Sequence, residues 1–144
     1  MIDRITVLGG SSVYIPEFIV SLLTHNILVK ELVLMGRPGD KLQVVGNFCQ
    51  RLIDKNGYDT KIILETDATT AVSGAKYIIN HVRVGGMKAR IRDEKAPPQF
   101  DMVGGESLGP GAVINLLRTL PVVFEFADII QEVNPKAQII NMTN

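Results

Sequence analysis

The chain has 144 residues, fifteen of them basic and fifteen acidic, for a formal net charge of zero; 46% are hydrophobic. A chain of this size buries roughly two-thirds of its unfolded surface, enough for one self-supporting domain and too little for two ordinary ones. Neutral charge excludes a broad electrostatic footprint for nucleic acid or an anionic membrane. The single cysteine, Cys49, excludes an internal disulfide and suits a cytoplasmic setting.

Ile5-Thr6-Val7-Leu8 reads as a short buried strand, too short for a signal peptide or a membrane span. Gly9-Gly10-Ser11-Ser12 stops it, and a helix follows over Ile15–Thr24 with Pro16 in its first turn, where a missing N–H costs nothing. Leu32–Met35 is a second strand, ended by Gly36-Arg37-Pro38-Gly39. Asp40 can cap the next helix, which runs to Lys55 on an apolar stripe of Leu42, Val45, Cys49, Leu52 and Ile53, until Asn56-Gly57 ends it. Ile62–Leu64 is a third strand, Ala68–Val72 a short helical turn, and Tyr77–Asn80 a fourth strand.

Then the pattern breaks. Residues 83–111 are rich in Gly, charge and Pro, with a helical turn over Met87–Lys95. A long helix is predicted over Ala112–Val133, bent near Pro121, and Ala137–Asn141 is a fifth strand. Short apolar strands alternating with helices predict an α/β fold, a Rossmann-like parallel sheet with helices on both faces, forming one dinucleotide-binding domain over residues 1–144. A sheet with an uncovered edge predicts self-association into a homo-oligomer.

Ligands of such a sheet bind beyond the carboxyl ends of its strands. Polar and glycine residues gather at all five ends: Gly9 to Ser12, Gly36-Arg37, Thr66-Asp67, Asn80 to Arg83, and Asn141 to Asn144. The loops there are expected to open onto a common cleft. The Gly9–Ser12 turn lets backbone approach a pyrophosphate at the next helix N-terminus, although it is short of a full G-x-G-x-x-G and a plain strand-to-helix turn is the other reading. After the second strand an NAD site usually places an acid on the ribose hydroxyls. Arg37 stands there instead, either to meet an NADP 2′-phosphate or as a solvated turn residue.

Arg83, Arg90, Arg92, Asp93 and Glu94 make a charged cluster beside Gly85-Gly86, suited to phosphate or carboxylate, or simply solvated. Glu106 is the one acid in a Gly-rich stretch over 104–111, and an acid carried on a flexible loop points to a site it must reach. Cys49 belongs to the core, His25 to a helix end, and His81 to a strand end where it can line the site. No spacing of His, Cys or acids reads as a metal set.

Taken in order, several stretches resemble the glycoside hydrolases of family 4. They are Ile5 to Glu17; His81 to Gly86 with Arg90, Asp93-Glu94 and Pro97; Gly105 to Gly111; Leu117 to Pro121; and Asn141 to Asn144. The Val-Arg-Val-Gly-Gly and Arg-Thr-Leu-Pro forms are most similar to the 6-phospho-β-glucosidase branch. The resemblance implies hydrolysis without paired carboxylates: hydride leaves C3 of the sugar for bound NAD, a Tyr base removes the C2 proton, the aglycone is eliminated, water adds, and the hydride returns. A divalent metal, commonly manganese, polarises the sugar oxygens.

By position the resemblance implies that Gly9, Gly10, Ser11 and Ser12 hold the cofactor, that Arg90 and Asn144 bind a phosphorylated disaccharide or glycoside, and that Glu106 raises the basicity of the catalytic Tyr. That Tyr and the metal ligands would lie beyond Asn144. Where members commonly carry Asp this chain has Gly36, and where they carry Gln it has Gly105. Members are much longer, which implies a fragment or truncated product that binds cofactor but does not hydrolyse glycosides. Two other readings stay open: a fragment of a lactate- or malate-type dehydrogenase, and a non-catalytic nucleotide-binding module.

Overall fold

The computed structural model describes residues 1–143. The chain divides into two compact units, residues 1–81 with 129–142, and residues 82–128 with Thr143. The first holds an all-parallel sheet of β1 (Ile2–Leu8), β2 (Val29–Met35), β3 (Lys61–Glu65), β4 (Tyr77–Asn80) and β5 (Gln138–Asn141). Its strand order is β3-β2-β1-β4-β5, so the chain walks one way from β1 to β3 and then returns to β1's other side. The reversal between β1 and β4 is the switch point at which ligands enter sheets of this kind.

Consecutive strand residues point to opposite faces, so a run of buried neighbours means that both faces are covered. Leu32, Val33 and Leu34 have no exposed surface. One face carries Ile5, Val7, Leu32, Leu34 and Ile79, packed in one cluster with Ile15 and Ile19 of α1 (Ile15–Thr24) and with Leu42, Val45, Cys49 and Ile53 of α2 (Asp40–Lys55). On the other face the Thr6 hydroxyl donates to the Ala71 carbonyl at 2.6 Å, tying β1 to α3 (Ala68–Val72). Gly46 lets α2 settle on β3, since a β-carbon there would stand 2.4 Å from the Leu64 Cδ2. Burial pattern, strand count and strand direction agree with the predicted α/β architecture.

The second unit holds α4 (Gly86–Lys95), a 3-10 turn over Pro97–Phe100, and α5 (Pro110–Val133) as far as Asp128. α5 carries through Pro121. No helix among the described residues is long and apolar enough to cross a membrane.

Three strands begin earlier than their apolar cores suggest: β1 at Ile2 and not Ile5, β2 at Val29 and not Leu32, β3 at Lys61 and not Ile62. Val29 is buried, but these leading stretches also carry the charged Asp3, Arg4, Lys30, Glu31 and Lys61, which break the apolar runs. There they pair across the sheet, Lys30 with Asp3 at 2.5 Å and Arg4 with Glu31 at 3.5 Å. Asp40 does not cap α2. Gly39 occupies the cap with φ 145°, and Asp40 is the first helical residue, where its charge suits the helix dipole.

Cys49 is buried, and burial pushes its thiol from 9.0 up to about 11. The folded chain therefore keeps a proton that the unfolded chain has lost. The stability this contributes is whole below pH 9.0 and is lost as pH rises through about 11. The stability difference between wild type and Cys49→Ala, from urea midpoints across that alkaline range, is expected to narrow with rising pH. Thiol reagents are expected to label Cys49 only on unfolding.

Candidate functional site

Four strand ends of the first unit meet along one rim. The turn after β1 folds back over β2, as the Gly9 and Gly10 amides both donate to the Met35 carbonyl, at 3.0 and 2.7 Å. Gly10 sits so close to β2 that a β-carbon there would lie 2.6 Å from the Leu34 Cβ and 2.7 Å from its backbone. Gly9 takes φ 97°, a conformation open to glycine. The turn delivers Ser11 and Ser12 to the switch point and leads into α1, whose first turn contains Pro16.

From β4, the His81 amide donates to the Leu8 carbonyl at 2.9 Å, which brings its ring to the same place. The Ser12 Oγ and His81 Nε2 are 3.2 Å apart, and the Tyr14 ring meets the imidazole edge-on at 6.3 Å. From β2, Gly36 lies against Ser11, its missing β-carbon 3.5 Å from the Ser11 Cβ and backbone N. From β5, Asn141 accepts from the Asn80 side-chain amide at 2.8 Å, and the Met142 amide donates to the Asn80 carbonyl at 2.9 Å.

The exception is the end of β3. Asp67 turns to cap α3, accepting from the Thr70 amide and hydroxyl, each at 2.7 Å, and the amide bond holds its carboxyl below the usual carboxylate range. Arg37 is exposed and makes no hydrogen bond or ion pair among the described residues.

The second unit gathers the other predicted residues. Arg83 donates from Nη1 to the Glu106 Oε1, and Arg90 donates from Nε to the Glu106 Oε2 at 3.1 Å and to the Glu94 Oε1 at 2.8 Å. Two guanidiniums thus bracket one carboxylate whose side chain is 13% exposed. The stretch around Glu106 is glycine-rich for closeness rather than for looseness. A β-carbon on Gly104 would stand 2.1 Å from the Glu94 carbonyl oxygen, and one on Gly111 2.3 Å from that of Gly105. Glu106 is held on a segment seated against α4.

Sequence reasoning missed the fastening of this unit. Asp93, read above as part of a charged cluster either facing a ligand or solvated, is buried at 4% exposure. Arg118 of α5 forks onto it, Nη1 to Oδ1 at 2.9 Å and Nη2 to Oδ2, while its Nε donates to the Val84 carbonyl at 2.9 Å and Nη2 also to the Asn115 Oδ1 at 3.2 Å. The carboxylate raises the Arg118 guanidinium's affinity for its proton. The signal was present: Arg118 is the one basic residue in a largely apolar helix, and such a residue calls for a partner.

Among the described residues no group of three or more His, Cys, Asp or Glu side chains converges as a metal set. Asn144 lies outside the described residues.

The model of the family 4 glycosyl hydrolases matches residues 4–144. The 6-phospho-beta-glucosidase of Escherichia coli (strain K12) is 34% identical, over 98% of this chain and 32% of its own length. The 6-phospho-beta glucosidase of Thermotoga maritima, solved with manganese, NAD+ and glucose-6-phosphate, is 33% identical at a TM-score of 0.90, over 99% of this chain and 34% of that one. A 6-phospho-alpha-glucosidase from gut microorganisms, solved with NAD and Mn2+, reaches a TM-score of 0.92 at 25% identity, over all of this chain and 33% of that one. The chain spans about a third of the length of the curated relatives it matches. A parallel sheet of this order, a glycine turn seated at its switch point and a match running almost from end to end have one common explanation: the chain belongs to family 4 of the glycosyl hydrolases.

Proposed function

We propose that residues 1–144 are the nicotinamide-dinucleotide-binding part of a cytoplasmic, homo-oligomeric 6-phospho-β-glucosidase. The observation that carries this reading is the turn after β1. Its two amides are tied to Met35, Gly10 is pressed onto Leu34, and the turn leads at the switch point directly into α1. A β-carbon at Gly10 would fill the place where the turn comes down on the sheet, so the residues present fit a backbone cradle for a diphosphate. Gly9, Gly10, Ser11 and Ser12 hold that diphosphate, with His81 orienting the Ser12 hydroxyl. Such a cofactor, when bound, accepts and returns a hydride and so makes C–H chemistry on the sugar reversible.

In the second unit Arg90 binds the phosphorylated glycoside, and a guanidinium suits that anion. Glu106 places a negative charge where it raises the basicity of a tyrosine supplied by the remainder of the enzyme. Asn144, by the family resemblance, also contacts substrate. Among the described residues no group of three or more His, Cys, Asp or Glu side chains offers a divalent metal a ligand set.

Calorimetric titration with nicotinamide dinucleotides tests the reading: the chain is expected to bind at a single site. It is expected to turn over no 6-phospho-β-glucoside, even with cofactor and manganese added. Absence of dinucleotide binding, or glycoside turnover by the 144 residues alone, would overturn the proposal.

A further inference from the structure

We propose that Arg37 reads the adenosine end of the cofactor, and that this chain takes the 2′-phosphorylated dinucleotide in preference to the unphosphorylated one. The inference rests on the dinucleotide-binding reading above and adds the identity of the cofactor. In a sheet of this order the adenine ribose lies beyond the end of β2. What stands there decides between two chemistries. A carboxylate accepts hydrogen bonds from the 2′ and 3′ hydroxyls and repels a phosphate; a guanidinium with no carboxylate beside it does the reverse.

The end of β2 is Met35-Gly36-Arg37. Gly36 is at the position an acid would need, and it has no side chain to offer. It lies against α2 and the β1 turn: a β-carbon there would stand 3.2 Å from the Leu42 Cδ1 and in ordinary contact, at 3.5 Å, with the Ser11 Cβ and N. The same closeness puts Arg37 one residue from the turn that cradles the diphosphate. Arg37 is exposed, and no described carboxylate engages it. It shares this with Arg51 and Arg92, whereas Arg4, Arg83, Arg90 and Arg118 hold carboxylates. The nearest acid in sequence, Asp40, begins α2 beyond Gly39 and is followed by Lys41. A phosphate on the 2′ oxygen would supply Arg37's planar guanidinium with the bidentate partner it lacks.

Calorimetric titration of the 144-residue chain with NAD+ and NADP+, at low and at raised ionic strength, decides the matter. The expected result is NADP+ binding about tenfold tighter or more, with the advantage shrinking as salt rises. Adenosine 2′,5′-bisphosphate is expected to compete well and adenosine 5′-monophosphate poorly. Arg37→Ala should bring the two dinucleotides to near parity, and Arg37→Asp should invert the order; the position is exposed, so circular dichroism is expected to show an unchanged fold. Equal or tighter binding of NAD+ by the wild type, or a preference that survives Arg37→Ala, overturns the inference and leaves the dinucleotide-binding reading standing. Binding of neither dinucleotide overturns both.

Discussion

Gly10→Val is expected to cost about 3 kcal/mol or more of folding stability, at or above the upper end of ordinary overpacking, and to abolish dinucleotide binding. The reason is what the new side chain would meet. Even its first carbon would lie 2.6 Å from the Leu34 Cβ and 2.7 Å from the Leu34 Cα and carbonyl carbon. Flexible side chains can swing away from such contacts, but Leu34 is in the middle of the buried sheet, paired with Val7 on one side and Leu64 on the other. Either β2 shifts out of register or the turn lifts. Lifting the turn breaks the bonds from Gly9 and Gly10 to Met35 and moves Ser12 off His81. Stability and binding are therefore expected to fall together, urea midpoints reporting the first and calorimetry the second. Gly10→Ala should move both in the same direction by less. A Gly10→Val chain with wild-type midpoint and affinity would show that the turn is not seated on β2.

The second large effect is expected in the other unit. Arg118→Leu should destabilise the chain by about 3–5 kcal/mol, because it strands the buried Asp93 carboxylate without its counter-charge. Arg118→Lys is not expected to rescue it. An ammonium cannot fork onto both Asp93 oxygens while also donating to the Val84 carbonyl, as the guanidinium does. The double variant Arg118→Leu with Asp93→Leu is expected to regain much of the loss, since removing both charges removes the desolvation cost as well. Urea unfolding of wild type, Arg118→Leu, Asp93→Leu and the double variant closes the cycle. Near-additive losses in the double variant would mean that the two residues stabilise the unit independently. Because Val84 lies next to Arg83, the single variants should also loosen Arg83's hold on Glu106, seen as faster amide exchange over residues 104–109.

These two predictions rest on residues that differed sharply in how far the sequence disclosed them. The glycine turn was legible because a strand broken by Gly9-Gly10 and followed by a proline-started helix leaves the backbone few other courses. α1, α3 and β4 fall where apolar spacing put them. The charged first halves of β1 and β2 did not read as strand, because their partners lie across the sheet and not along the chain. The α2 cap was misjudged by one residue, since Asp at the start of an apolar stripe is equally at home in the first turn, and only the positive φ of Gly39 decides between them. Arg83, Arg90 and Glu106 could be named singly, but their pairing could not. It depends on Gly104 and Gly111, whose value is a missing side chain against a carbonyl, and sequence alone does not distinguish that from a hinge. Asp93 looked like one of a run of surface charges until the partner 25 residues away was visible.

The strand order has a further consequence, for the order of events during synthesis. β1 to β4 all lie within the first 80 residues, and β1, the first made, is the strand on which the two halves of the sheet converge. A nascent chain emerging from the ribosome thus has its central strand, both flanking neighbours and the seat of the glycine turn in hand before residue 81 appears. α5 and β5 then add to strands already made, and the glycine turn has its seat on β2 before either of them appears.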